Sequence, residues 1–309
     1  GVNSGYYYDG RDMIHASSPI SVTQAEWAAS PGSVLAGAVN IADNGNLGKN
    51  YIVPVGQGTA TIFTYSSLHI IATQDNTQIT IDLDGNASTT ADISYVTLNK
   101  GQTHLATNVK AGATVVADKA IGVYAIAGVS SPSYQNRWFA LSSTDQWDAS
   151  YYAPVYTTNG SAPVSVYLYN PGSSSLDVYY DTTTAIATKV TIAAKSTASV
   201  AMPTTASGAH FYTRNGSAFY AVSTNDSGSA WDWSYSLVPQ KYLTSKFVLG
   251  WAPGNNNTPA ADGTISGTNG SPAWVTATAD TTVYIDYSGN GGTNTAPNGA
   301  SYDTSVSLK

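Results

Sequence analysis

The chain has 309 residues, 42% of them hydrophobic and only 10% charged, where an ordinary soluble domain carries about 25% charged residues. Its net charge of −7 and its scattered Lys and Arg exclude the basic stripe that phosphate neutralisation needs, so no nucleic-acid partner is expected. The absence of cysteine excludes a disulfide framework and any thiolate metal site, and no apolar run approaches the ~18 residues of a membrane span.

Thr, Val, Tyr and Ile are used heavily while Glu26 is the one glutamate, a balance that favours pleated strands over long helices. The chain opens on GVNSGYYYDGRD, which has no signal-peptide core, so Gly1 is expected to start a mature or trimmed chain. Tyr6, Tyr7 and Tyr8 have no counterpart elsewhere in the sequence and, with Trp27, form the aromatic group expected at a contact. Ile14–Val22 (IHASSPISV) is similar to Val115–Val123 (VVADKAIGV).

From Tyr51 onward the sequence repeats. Gly112–Ala125 (GATVVADKAIGVYA) aligns without a gap to Gly208–Ala221 (GAHFYTRNGSAFYA), a shift of 96, and the same shift carries Leu141 onto Leu237. VTL at Val96–Leu98 matches VTI at Val190–Ile192 and VSL at Val306–Leu308. ITID at Ile79–Asp82 matches VYID at Val283–Asp286, with Leu176–Tyr179 between them. Tyr51–Pro54, Tyr151–Pro154 and Phe247–Pro253 are a recurring strand end.

Segments such as ITIDL, YVTLN, TVVAD and IGVYAIAG alternate or run apolar between the turn clusters DGN, NKG, KAG and DKA, which reads as strands throughout. The predicted fold is all-β, built of tandem β-sandwich repeats of immunoglobulin-like size, about 100 residues each. The expected segments are 1–55, the second half of a repeat completed by another segment or chain; 56–155 and 156–253, two repeats; and 254–309, a linker with the first half of a repeat. Tyr156–Pro163 and Gly254–Pro272 read as linkers.

Catalytic chemistry is not expected. His15, His69, His104 and His210 form no metal-ligand or triad spacing and read as solvent-facing strand residues, and no G-x-S-x-G occurs. Asp145 with Asp148, or Asp226 with Asp232, are the candidate acid pairs for glycoside cleavage, with turn and capping roles as the plainer reading. Asp43, Asp82, Asp84 and Asp286 lie in Asp, Asn and Gly loops that suit a structural calcium ion or plain β-turns; no other cofactor is expected. Trp147, Trp231, Trp233 and Trp251 are the candidate faces for stacking on a sugar. N-x-[ST] sequons at Asn86, Asn159, Asn215, Asn225, Asn256 and Asn269 permit glycosylation.

The stretch from Tyr51 to Gly128, through YIVPVG, IIATQDNTQITID, VTLNKGQ and GATVVADKAIGVYAIAG, resembles the IgGFc-binding-protein N-terminal domain family. That resemblance implies a secreted or cell-surface binding module without catalytic residues or cofactor, of the cysteine-free prokaryotic kind. The expected function is an extracellular structural or adhesive surface protein that self-associates head to tail by β-strand complementation, with Trp274, Val306 and Leu308 at the contact. The alternatives are a carbohydrate-binding module with a glycan or host-surface ligand, and a polysaccharide-cleaving enzyme.

Overall fold

The computed structural model describes residues 14–26, 37–42, 44–86, 90–129, 136–155, 164–202, 207–225, 233–249, 273–287, 289 and 291–309. The protein is all-β, as its composition predicts. The strands are β1 (Thr23–Glu26), β2 (Gly37–Asn40), β3 (Gly48–Ile52), β4 (Tyr65–Ala72), β5 (Thr77–Asp82), β6 (Ile93–Leu98), β7 (Thr103–Thr107), β8 (Thr114–Gly128) and β9 (Asn136–Ala140). They continue as β10 (Ser150–Val155), β11 (Val164–Tyr169), β12 (Leu176–Asp181), β13 (Thr188–Ile192), β14 (Thr197–Ala201), β15 (Ser207–Tyr212), β16 (Tyr220–Asn225) and β17 (Trp233–Ser236). The last four are β18 (Thr281–Ile285), β19 (Asn294–Thr295), β20 (Ser301–Tyr302) and β21 (Thr304–Leu308). Among the described residues helical structure is confined to single 3-10 turns, three of them at Asn44–Asn46, Thr144–Gln146 and Gln240–Tyr242.

β8 organises the first strand group. Residues 114–116 lie between β3 and β5, and residues 124–128 lie between β4 and β9, so one strand serves the orders β6-β5-β8-β3 and β7-β4-β8-β9. Asp118-Lys119-Ala120 was expected to be a turn, yet the chain stays extended through it. Side chains replace the missing ladder there: Gln78 N–H donates to Asp118 Oδ1 (2.8 Å), Lys119 Nζ donates to the Asp75 and Asn76 carbonyls (2.7 Å each), and Thr73 Oγ1 donates to the Ala120 carbonyl (2.6 Å).

The second group has the orders β13-β12-β15-β10 and β14-β11-β16-β17, which match the first position for position. Where β8 is continuous, β15 and β16 are separate. Their connection contains Asn215-Gly216, with Gly216 at φ +74° and Asn215 Oδ1 accepting the Ser217 N–H, a turn that the Lys119-Ala120 pair cannot imitate cheaply. β3 and β10 both pair with later strands, so by hydrogen bonding the group boundaries precede Gly48 and Ser150, earlier than the expected breaks after residues 55 and 155.

Two cores result. Phe63, Leu68, Ile70, Ile81, Val115, Val123 and Phe139 fill the first; Val164, Val166, Leu168, Val178, Phe211 and Phe219 fill the second. Tyr167, Tyr169, Tyr220 and Val222 belong to the second group's strands but are buried in the first core. β11 and β16 are therefore apolar on both faces, and the two groups share one packed junction.

Candidate self-association interface

Three hairpins share one register. Ile79 pairs with Val96 in β5–β6, Val178 with Val190 in β12–β13, and Val283 with Val306 in β18–β21. An aspartate stands three residues after each first-strand position, closing β5 and β12 and directly following β18, and its carboxylate takes loop amides: Asp82 from Asp84 and Gly85 (3.2 and 2.7 Å), Asp181 from Ala187 (2.6 Å), and Asp286 from Gly291 (2.9 Å). A short carboxylate closing its own hairpin turn explains why Asp recurs at this position.

The hairpins differ in what covers them. β5 and β12 each hydrogen-bond a further strand, β8 and β15, and their apolar side is buried at Ile79, Ile81, Leu98, Val178 and Ile192. β18 pairs with β21 alone among the described residues. Its Val283 and Ile285, with Leu308, are only partly buried, and Val306 is 48% exposed. Trp274, half-buried, leads into this hairpin.

The N-terminal segment carries the complementary pattern. The Ile41 N–H donates to the Val22 carbonyl at 2.9 Å, as Leu141 does to Val123 (3.0 Å). β1–β2 thus occupies the place that the end of β8 and β9 takes in the first group, and Val39 packs on Trp138. Upstream of β1, residues 14–21 are exposed, with Ile14 at 66% and Ile20 at 57%. They are the sequence counterparts of Val115 and Ile121, which are fully buried.

Tyr51 and Tyr151 tie each group shut. Tyr51 Oη accepts the Gly48 N–H (2.9 Å) and donates to the Ile121 carbonyl (2.6 Å); Tyr151 Oη accepts the Asp148 N–H (3.0 Å) and donates to the Phe219 carbonyl (2.7 Å). Burial pushes the Tyr51 phenol up to about 12 and raises Tyr151 further, so both hydroxyls stay protonated.

Trp147 is not a sugar-stacking face. It is 5% exposed, its ring stacks on Tyr220 at 4.9 Å and 3° and meets Tyr169 edge-on at 6.2 Å, and Nε1 donates to the Ser142 carbonyl (3.1 Å), so the ring is buried at the junction and its donor is already satisfied. Trp231 and Trp251, Tyr6, Tyr7, Tyr8, Trp27, Asp43, Asp226, Asp232, Asn159, Asn256, Asn269 and the linkers 156–163 and 254–272 lie outside the described residues. So do the side chains of Trp233 and Asn225, although their backbones are in β17 and β16. Asn86 and Asn215 are exposed.

Sequence spacing missed one cluster. Ser150, His210 and Asp181 converge on the outward face of β10, β15 and β12, because Tyr152 and Asp181 both lie opposite His210 in the register. Ser150 Oγ is 2.8 Å from His210 Nε2, while Asp181 Oδ2 is 3.9 Å from Nδ1. The first contact suits proton transfer and the second is too long to orient the ring by a hydrogen bond. Tyr152 and Tyr212 hold the imidazole instead, stacked at 4.3 and 4.8 Å, and Tyr179 and Arg214 extend the row. Desolvation lowers the His210 pKa and Asp181 opposes that shift.

Carboxylate oxygens of Asp82, Asp84 and Asp92 approach within 4.8 Å of one another, so the calcium candidates Asp82 and Asp84 do meet a third acid. Asp82 is already committed to turn amides, and Lys110 Nζ stands 3.7 Å from Asp84. Asp148 of the expected acid pair likewise accepts the Ala149 and Lys241 amides.

A family model described as IgGFc binding protein matches residues 41–246, two thirds of the chain. No curated protein and no solved structure matches it. Among the described residues no helix is long and apolar enough to cross a membrane.

Proposed function

We propose, from the premise that the chain belongs to the IgGFc binding protein family, that it is an extracellular structural or adhesive protein whose copies join head to tail by β-strand complementation. The central residues form two tandem β-sandwiches of about 100 residues each, on the argument that their strand orders correspond and each encloses its own core. One observation carries the assembly reading: the β18–β21 hairpin repeats the register of β5–β6 and β12–β13, but among the described residues it has no counterpart of the neighbour strand that both of those have.

The neighbour expected there is a β8-like strand, and residues 14–22 have that sequence with Ile14 and Ile20 exposed. Insertion of this segment from one copy beside β18 of another covers an open edge, which is otherwise an aggregation liability. Because the donor and acceptor surfaces differ, the contact does not close on itself and a filament grows. Deleting residues 1–22 is expected to abolish polymer in sedimentation and electron microscopy while leaving the melting of the central strands unchanged. A 309-residue chain that stays monomeric at high concentration, or a deletion that polymerises normally, overturns the reading.

A second reading rests on the outward face of β10, β15 and β12, where Tyr152, His210, Tyr212 and Tyr179 stand at positions that carry Ile52, Thr114, Val116 and Thr80 in the first group. A row of ring edges, hydroxyls and one guanidinium suits a glycan or host-surface ligand. Glycan-array binding lost in Tyr152→Ala supports it; equal binding by that variant removes it.

A further inference from the structure

Each of the two strand groups holds one strand between two others. The start of β8 lies between β5 and β3, and β15 lies between β12 and β10. Val115 on that middle strand is opposite Ile81 on one side and Tyr51 on the other, and Phe211 is likewise opposite Tyr180 and Tyr151. Val115, Ile81, Tyr51, Phe211 and Tyr151 are all buried.

A third pair of flanking segments is present without a middle strand among the described residues. β18 has the register of β5 and β12, so Ile285 takes the place of Ile81 and Tyr180. The counterpart of β3 and β10 runs through Phe247. Three times a 3-10 turn is followed at once by Leu47, Trp147 or Leu243 and, four residues on, by Tyr51, Tyr151 or Phe247. Yet residues 247–249 pair with no strand among the described residues and are 71%, 72% and 75% exposed.

The sequence of a middle strand stands at residues 14–22, which match 115–123. Val22 fixes the phase, because it accepts the Ile41 N–H as Val123 accepts that of Leu141. Ile14 therefore corresponds to Val115, but is exposed.

We propose that residues 14–16 of one copy enter the next copy between β18 and residues 246–249, as the middle strand of a third sheet. The order is then β21, β18, the donor and residues 246–249, which repeats β6-β5-β8-β3 and β13-β12-β15-β10. Ile14 lies between Ile285 and Phe247 on the core side, and His15 lies between Tyr284 and Lys246 on the outer side, as Val116 lies between Thr80 and Asn50. Resting on the head-to-tail reading above, this contact adds to it a second acceptor edge and a fixed register. Ile14 and Phe247, each exposed in one copy, become the buried neighbours that the other lacks. Phe247 has no hydroxyl to repeat the Tyr51 and Tyr151 bridges, so ladder bonds and apolar contact hold this joint.

The chain has no cysteine, so engineered thiols report the register directly. Opposed residues of antiparallel strands have Cα atoms about 4.5–5.5 Å apart, within disulfide reach. Full-length His15→Cys is mixed with Lys246→Cys, with Tyr284→Cys or with Phe247→Cys, oxidised, and run on a non-reducing gel. The first two mixtures are expected to give at least about tenfold more dimer than the third, whose thiol faces the opposite side of the sheet. His15 and Lys246 are exposed, so the variants are expected to melt at the wild-type temperature. Dimer through Tyr284 but not Lys246 overturns the second edge and leaves complementation at β18 standing. The reverse pattern overturns the sheet order, and equal yield in all three mixtures overturns the register. If the wild-type chain stays monomeric, or polymerises while neither pair links, both this contact and the complementation at β18 fall.

Discussion

Replacing Trp147 by Ala tests whether the two strand groups form one cooperative body. Trp147 belongs to the first core yet stacks on Tyr220 and meets Tyr169 edge-on at 6.2 Å, both in the second group. Burying a Trp removes about 150–250 Å² from water, or about 4–6 kcal/mol at ~25 cal/mol/Å², and truncations of this kind cost about 3–5 kcal/mol. We expect about 4 kcal/mol. For a cooperative body of about 200 residues each kcal/mol moves the midpoint about 2–4 °C, so calorimetry should show a fall of about 8–16 °C. The wild-type strands β3 to β17 should melt in a single transition, and the variant should begin to show two, since the lost contact is the one that couples them. A shift below about 2 °C, or two wild-type transitions that the substitution leaves alone, refutes the shared junction.

Tyr151→Phe leaves the Asp148 N–H and the Phe219 carbonyl without their shared partner and is expected to cost about 2–4 kcal/mol, read as a lower urea midpoint at unchanged slope; a change below about 0.5 kcal/mol sinks the bridging role. Partial burial lowers the pKa of His210 below 6.5, so the unfolded chain binds more protons just under that pH. Stability is therefore expected to rise with pH through that window and to be lost as pH falls from 6.5 toward the folded value, and His210→Gln should flatten this slope in a pH series of denaturation midpoints. Calcium is expected to move the thermal midpoint by less than ~1 °C relative to chelator, because Asp82 already accepts turn amides; a rise of several degrees that Asp92→Asn removes would establish a metal site instead.

Much of the strand framework is legible in the sequence because a strand's period and a hairpin's register are local properties. The gapless shift of 96 carries Val115 onto Phe211, and those residues lie opposite Tyr51 and Tyr151. The match of VSL to VTL places Val306 opposite Val283 as Val96 is opposite Ile79. The outward cluster was harder to find: Ser150, Asp181 and His210 are far apart in the chain, and only the order β10-β15-β12 makes them neighbours. A signal was present nonetheless, since the aligned positions in the first group, Asn50, Asp82 and Thr114, lie on the same sheet.

By itself the sequence determined an all-β chain of recurring strand segments separated by turn clusters, because alternation and turn chemistry act between near neighbours. Only the tertiary structure decided that β8 runs unbroken through Asp118–Ala120, that Trp147 is interior, and which faces stay open. Those outcomes depend on what packs against a residue from across the fold. An aromatic side chain reads the same in sequence whether it meets a ligand, another strand group or water; Trp147 on Tyr220 and the exposed Phe247 show two of these fates in one chain.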